Sequence, residues 1–255
     1  MAINTRVICV TGATSGIGRA TAVRFLEEGW KVIAAGRRRE RLDELAAKFG
    51  DAVLPLALDV SDRDAVEKAF ATLPAAFTPI DVLVNNAGAA LGLDTAMAAS
   101  LDDWEAMVDI NIKGLLYCTK AVVGGMAERN SGHIVNIGSI ASYTAYAGAN
   151  VYGGTKAFVG QFSRNLRSDL HGTGVRVTNI EPGLLESEFS LVRLKGDEAR
   201  AGAVYAGSDP LTPEDLADII LYVTGVPPHV DIELLRVKPV CQSDTGNLVY
   251  KGSAR

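Results

Sequence analysis

A chain of 255 residues can bury a large core, and with 48% apolar and 22% charged residues it has the balance of an ordinary globular protein, not a disordered or fibrous one. Its net charge of −5 and pI near 5.3 argue against nucleic acid as a partner, which calls for a basic face. No apolar run approaches the roughly 18 residues that span a bilayer, and the start MAINTRVICV carries no secretory pattern, so neither membrane insertion nor export is expected. Cys9, Cys118 and Cys241 are scattered, with no CxxC spacing, and read as buried free thiols in a reducing cytoplasm. The three histidines lack partners at i+3 or i+4, so no metal is expected.

The first apolar run, 6–10, reads as a strand. It feeds Thr11-Gly12-Ala13-Thr14-Ser15-Gly16-Ile17-Gly18, which opens a helical pattern at 19–28. Glycines there let the backbone turn tightly and let a pyrophosphate approach the free N–H groups and positive dipole of a helix N-terminus. The spacing is GxxxGxG, not the more familiar GxGxxG. Its place between the first strand and the first helix makes Gly12, Thr14, Ser15, Gly16, Ile17 and Gly18 the candidate cradle of a dinucleotide.

The second strand, 31–35, runs into Gly36-Arg37-Arg38-Arg39 ahead of a helix at 39–49. An NAD site places a carboxylate here, about 20 residues past the glycines, to hold the ribose 2′-hydroxyl. After the second strand this chain has no acid before Glu40. A guanidinium pairs with a 2′-phosphate in a charge-assisted fork, and cations at a helix N-terminus otherwise oppose its dipole. The expected cofactor is NADP(H), held by Arg37 and Arg38.

The third strand, 52–58, closes on Asp59-Val60. Asp59 can accept from an adenine amino group with Val60 against the ring, or it can cap the helix at 62–73 near Ser61; both readings stay open. The fourth, 82–85, ends in Asn85-Asn86-Ala87-Gly88, whose amides can brace the sheet and whose small residues leave room for a cofactor. A long helical pattern covers 101–129.

The fifth strand, 133–137, is followed by Ser139. Tyr152-Gly153-Gly154-Thr155-Lys156 then opens a helix at 152–170, placing Tyr152 and Lys156 on one face. Carbonyl reduction needs a proton delivered to oxygen, and a phenol with a pKa near 10 is a poor donor at neutral pH. A lysine charge ~4 Å away, at an effective dielectric of ~20, favours the phenolate by roughly 4 kcal/mol. Tyr152 can therefore serve as acid/base, with Lys156 to lower its pKa and Ser139 to orient the carbonyl, although a Tyr-x-x-x-Lys pair taken alone is usually just a helix surface.

A sixth strand at 176–180, the irregular stretch 182–210 and a weaker strand at 232–237 complete the chain. Strands apolar almost throughout are those covered on both faces. With β–α alternation, this predicts one domain over 1–255: an α/β, doubly wound, parallel, seven-stranded sheet of Rossmann type with helices on both faces. Ligands of such sheets sit at the carboxyl ends of the strands, so 183–210 is expected to be a substrate lid. Within it, Arg193, and less directly Lys195, could clamp an anionic substrate, while Tyr146 and Asn150 could wall the pocket. The tail, 240–255, could be free or docked on a neighbouring copy, with Tyr250 reaching that copy's site.

Taken in order, Thr11-Gly12-x-x-x-Gly16-x-Gly18, Asn85-Asn86-Ala87-Gly88, Asn111, Ser139, Tyr152 and Lys156 resemble the markers of the short-chain dehydrogenase/reductase family over residues 5–240. The resemblance implies that Asn111, which the residues alone suggest is a helix kink or surface amide, holds a water in a proton relay to Lys156. It implies that the backbone of Pro182-Gly183 approaches the nicotinamide. The usual following threonine is replaced by Leu184-Leu185-Glu186-Ser187, leaving Ser187 or Glu186 as candidates for its contact. It also implies a homotetramer built through the long helices.

Tyr146-Ala147-Gly148-x-Asn150-Val151-Tyr152-Gly153 and Glu181-Pro182-Gly183-Leu184 are similar to the NADP-dependent 3-hydroxy acid dehydrogenases that oxidise serine and allo-threonine. The expected function is hydride transfer between NADP(H) and a small 3-hydroxy acid. The alternatives are a reductase of sulfoacetaldehyde or another small polar carbonyl and, in a different class, a dinucleotide sensor of the kind that lacks the tyrosine or lysine present here.

Overall fold

The computed structural model describes residues 6–244 and 248–252. Seven strands form one parallel sheet: β1 (Val7–Thr11), β2 (Lys31–Gly36), β3 (Val53–Ala57), β4 (Val82–Asn85), β5 (Gly132–Ile137), β6 (Val175–Pro182) and β7 (Leu234–Val237), in the order β3-β2-β1-β4-β5-β6-β7. Alternate side chains of one strand enter different cores. Ile8 and Val10 pack with α1 (Gly16–Glu27) and α2 (Arg39–Phe49), whereas Val7 and Cys9 face α3 (Arg63–Ala71) and the helices that follow it. Burial on both faces explains why these strands show no polar alternation. The chain reverses direction across the sheet between β1 and β4, so a crevice opens at their carboxyl ends, where ligands of such sheets bind.

Three departures from the expected elements bear on the site. The pattern at 101–129 is not one helix: α4 (Leu101–Val108) and α5 (Leu115–Glu128) are joined by a π-helical turn at Asp109–Gly114. Gly114 lies so close to Val60 that a Cβ there would meet Val60 Cγ2 at 2.7 Å. The turn buries Asn111, which is 2% exposed, and such turns mark functional positions in helices.

The stretch 182–210 is also less irregular than expected. It contains α7 (Phe189–Arg193) and α8 (Glu198–Tyr205), joined where the Ser190 and Tyr205 hydroxyls lie 2.5 Å apart. Finally, the sequence reading passes over α9 (Pro213–Gly225), which packs on α1. Its start was readable: Thr212 and Asp215 form a capping box around Pro213. The long helix after Ser139 is α6 (Asn150–Asp169).

The described part of the tail lies on its own chain. Gln242 Oε1 accepts from the Leu184 N–H at 2.8 Å, and the Gly252 N–H donates to the Gly207 carbonyl at 2.8 Å. Residues 245–247 and 253–255 of the expected tail fall outside the described residues. Cys9 and Cys118 are buried, but Cys241 is only half-buried, its thiol against the Asp209 carbonyl.

Candidate active site

At the carboxyl ends of the strands lies a cleft of about 400 Å³, with the glycine-rich loop at one end and Ser139, Tyr152 and Lys156 at the other. The loop rests on backbone. Gly12 has φ +69°, and a Cβ there would sit 2.8 Å from Asn86 Nδ2 and 3.0 Å from Ala87 Cα. A Cβ at Gly18 would collide with the Gly12 carbonyl oxygen and the Asn86 amide. Gly18 thus does not line the cleft as Gly12, Thr14, Ser15, Gly16 and Ile17 do; it lets α1 approach the loop. Thr11 Oγ1 accepts from the N–H groups of Asn86 and Ala87 at 3.0 and 2.9 Å, and Asn86 Nδ2 donates to the Thr11 carbonyl at 2.8 Å. One layer deeper, Asn85 Nδ2 donates to Asn136 Oδ1 at 2.9 Å. The first turn of α1 carries no acid and Ser15 makes no side-chain cap, so its free N–H groups face the cleft as an anion seat. Glycines pared to backbone and an uncapped helix start fit a dinucleotide pyrophosphate.

At the end of β2, Arg37 is exposed and Arg38 half-buried, and both line the cleft. Arg38 Nε donates to Thr14 Oγ1 at 3.2 Å, and its Nη1 to Glu188 Oε2 at 2.8 Å; Arg41 lies 3.5 Å from Glu188 Oε1. No carboxylate follows β2 before Glu40, so this end suits a 2′-phosphate better than a bare ribose diol. Asp59 and Val60 also line the cleft. Asp59 Oδ1 accepts from the Ser61 N–H at 3.0 Å and the Ser61 hydroxyl at 2.7 Å, which holds a turn, while the cap of α3 is Asp62.

Ser139 leaves β5 in an extended conformation, and its Oγ accepts from the Ala141 N–H at 3.1 Å. Tyr152 and Lys156, 7% and 6% exposed, project from the first two turns of α6. Lys156 Nζ donates to the Ile137 carbonyl at 2.7 Å and lies 5.9 Å from the centre of the Tyr152 ring. Burial pushes the Tyr152 phenol up to about 12, opposed by its hydrogen bond with Ser139 and the nearby Arg193 charge. Burial likewise pulls Lys156 down to about 8. From spacing alone, a lowered phenol is expected. In this chain loss of hydration governs both groups, and the lysine ammonium is turned to the Ile137 carbonyl.

Behind them, Asn111 Oδ1 accepts from the Ala89 N–H at 2.8 Å, and its Nδ2 donates to the Ala89 carbonyl and to Thr155 Oγ1 at 2.9 and 3.0 Å. Its amide is spent on the protein itself. Gly88 fills the gap in front, where a Cβ would come within 3.2 Å of Asn111 Oδ1 and 3.5 Å of Lys156 Nζ.

The candidate substrate residues other than Ser139 do not line the cleft. Arg193 and Tyr146 do meet: Nη1 of Arg193 donates to the Tyr146 hydroxyl at 3.0 Å, and its Nε to the Gly92 carbonyl at 3.2 Å. The same guanidinium lies 5.5 Å from the Tyr152 ring centre. Asn150 is exposed and donates to the Asp94 carbonyl at 3.1 Å. Lys195 pairs with Asp103 at 2.7 Å, away from the cleft.

Pro182, Gly183 and Ser187 line the cleft, and Ser187 sits over Gly16; Glu186 points to solvent. Two residues escape the sequence reading. Glu181, 4% exposed, accepts from Ser142 Oγ, Asn179 Nδ2 and Arg236 Nε, tying the loop after Ser139 to β6 and β7. A charge inside an apolar strand run is its visible signal. Glu188, which borders the cleft opposite Arg38, has none.

Comparison with known proteins agrees with this geometry. The chain is 56% identical over 246 residues to the NADP-dependent 3-hydroxy acid dehydrogenase YdfG of Salmonella typhi, covering 96% of this chain and 99% of that protein. It is 52% identical to the serine 3-dehydrogenase of Agrobacterium fabrum, covering 96% and 98%. Among solved structures, the closed form of serine dehydrogenase complexed with NADP⁺ matches with a TM-score of 0.93 at 54% identity, covering 96% and 99% of the two chains. Residues 6–195 match the short chain dehydrogenase family. The chain belongs to that family.

Proposed function

We propose that the protein transfers hydride between NADP(H) and a small 3-hydroxy acid, or the corresponding carbonyl acid, of the serine, allo-threonine and 3-hydroxypropionate class. The observation that carries this reading is one cleft with Tyr152, Lys156 and Ser139 at one end and Arg37 and Arg38 at the other. The relatives named above, dehydrogenases of serine and of 3-hydroxy acids, support it.

The bound dinucleotide supplies or accepts the hydride. Tyr152 gives its proton to the carbonyl oxygen in reduction and takes it from the hydroxyl in oxidation. A phenol held near 12 keeps its proton at neutral pH, ready for the reductive direction. In oxidation, Lys156 and Ser139 favour the phenolate: the lysine, at about 8, is still mostly charged at pH 7, and the serine hydroxyl donates to the tyrosine oxygen. Asn111 is assigned to the relay behind Lys156, supported by its burial against Thr155 and Gly88. Gly12, Thr14, Ser15, Gly16, Ile17, Asn86, Ala87 and Gly88 hold the pyrophosphate and ribose side, with Asp59 and Val60 at the adenine and Pro182 and Gly183 at the nicotinamide.

Segment 183–210 acts as the lid, and Arg193 is its anchor for a substrate carboxylate, flanked by Tyr146 and Asn150. The guanidinium beside the Tyr152 ring supports this assignment. Copies associate through α5 and α6 into a homotetramer working in the cytoplasm, a reading supported by Phe158 and Phe162, stacked 5.8 Å apart and only half-buried on α6.

The test is absorbance at 340 nm with purified protein, following NADP⁺ reduction with L-serine, L-allo-threonine and 3-hydroxypropionate and NADPH oxidation with sulfoacetaldehyde. Turnover of the hydroxy acids with NADP⁺, and far less with NAD⁺, is expected. Turnover of sulfoacetaldehyde alone would keep the cofactor and catalytic residues and discard the substrate class.

A further inference from the structure

Across the mouth of the cleft, the Glu188 carboxylate reaches over to the basic end of β2. Its Oε2 accepts from Arg38 Nη1 at 2.8 Å, and its Oε1 lies 3.5 Å from Arg41 Nη2. Both Arg38 and Glu188 line the cleft, and both side chains are 38% exposed, so the pair can part into water with little penalty. The carboxylate is held below its usual range, first by the hydrogen bond from Arg38 and further by the charges of Arg41 and Arg19.

We propose that Glu188 is an internal rival of the cofactor's 2′-phosphate: its carboxylate occupies the Arg38 fork that the phosphate needs, so NADP(H) must displace it and NAD(H) need not. The proposal rests on the reading of Arg38 as a 2′-phosphate ligand. A phosphate carrying nearly two charges and a carboxylate cannot share one guanidinium fork without repulsion. Glu188 is therefore a specificity-determining residue that weakens the hold on NADP(H) while leaving the adenosine 5′-diphosphate part of either cofactor untouched.

Glu188 also leads towards the catalytic end. Glu188 is the N-cap residue of α7, the next residue, Phe189, packs 5.7 Å from the Tyr152 ring, and Arg193 closes the same helix. Glu188 thus stands at the start of the helix that carries Phe189 and Arg193 to the Tyr152 ring.

The experiment is isothermal titration calorimetry on the full chain with 2′,5′-ADP and 5′-ADP as probes, comparing the natural protein with Glu188→Gln and Arg38→Ala. Glu188→Gln should bind 2′,5′-ADP about threefold to fivefold tighter, with the gain shrinking as salt is added. Its affinity for 5′-ADP should not change, which also shows that the variant is folded. No gain, or an equal gain for both probes, overturns the proposal. Arg38→Ala separates the layers: its preference for 2′,5′-ADP over 5′-ADP should collapse. If that preference survives, Arg38 does not read the phosphate, and the reading beneath the proposal falls with it. If it collapses while Glu188→Gln stays neutral, only the role of Glu188 is lost.

Discussion

The glycine-rich loop and segment 183–210 face each other across one cleft, yet they are held by different means. The loop is fixed by main-chain atoms, the buried Thr11 hydroxyl and the half-buried Asn86 amide: Thr11, Gly12 and Asn86 interlock so tightly that no Cβ fits at Gly12 or Gly18. Segment 183–210 also has main-chain anchors, among them the Gly92 N–H to the Arg193 carbonyl at 2.9 Å, but it adds partly exposed side-chain pairs that the loop lacks: Arg38–Glu188, Arg193–Tyr146 and Lys195–Asp103. A backbone contact has no substitute when it is lost, whereas a half-exposed polar pair exchanges with water at little cost. We therefore propose that one wall of the cleft is a fixed receptor and the other an adjustable cover.

The contrast breaks hardest at Gly18. In Gly18→Ala the new methyl group meets the Gly12 carbonyl and the Asn86 amide, neither of which can move without opening the end of β4. Overpacking of this kind costs ~1–3 kcal/mol, so NADP⁺ should bind up to about a hundredfold more weakly in calorimetry. Affinity within twofold of the natural protein would mean that the loop yields as the opposite wall does.

Next in size is the response of the sheet beneath both walls to acid. His133, 2% exposed, shares a 2.8 Å hydrogen bond with Thr178 Oγ1. Burial, with the Arg176 charge, pulls its pKa from 6.5 down to about 3. Between those values the unfolded chain holds a proton that the folded chain refuses. Stability is therefore complete above about pH 6.5 and falls as pH drops towards 3, at up to ~1.4 kcal/mol per pH unit. Near pH 5 the loss is about 2 kcal/mol, and His133→Asn should flatten that limb in urea unfolding curves measured from pH 7 to pH 4. At neutral pH, by contrast, amide exchange should show 183–210 opening while β1 and β4 remain protected.

The same contrast explains what the sequence reveals. Gly12 and Gly18 announce themselves because a close backbone approach requires glycine, Gly16 because its φ is +49°, and the strands because burial on both faces makes them apolar throughout. Helical spacing puts Tyr152 and Lys156 on one face, and the markers around them single the pair out. Glu188 meets Arg38 across 150 positions and Arg193 meets Gly92 across 101, and no local pattern encodes such meetings. The direction of the Tyr152 shift escapes for a related reason: spacing places a lysine near a phenol but does not reveal how dry both become. The π-helical turn that buries Asn111 ends on Gly114, packed against Val60, another tertiary contact. The helix α9 is different, since its capping box stands in plain sight at Thr212–Asp215.

Within the cover itself, Arg193 should matter more than its neighbours. It bridges to Tyr146 and Gly92 and lies beside the Tyr152 ring. Arg193→Ala should raise KM for 3-hydroxy acids about tenfold, the worth of one charge-assisted hydrogen bond, and spare neutral alcohols of similar size. Equal losses on both substrates in steady-state kinetics would make it a brace of the segment and not an anchor.

The smallest effect belongs to Lys195, two residues further along. Its ammonium is 2.7 Å from Asp103, its side chain is 60% exposed, and it does not line the cleft. Its backbone has φ +54°, a left-handed turn that continues into Gly196 at φ +89°. Position 195 therefore turns the chain out of α7 and aims its charge at α4. An exposed ion pair contributes little once water screens it, and alanine can occupy the same backbone conformation as lysine. Lys195→Ala should leave KM for 3-hydroxy acids within about twofold, where Arg193→Ala shifts it about tenfold. If Lys195→Ala moved KM as far as Arg193→Ala does, the substrate carboxylate would be held by the outer edge of the cover, and the Asp103 pair would have to open whenever substrate binds.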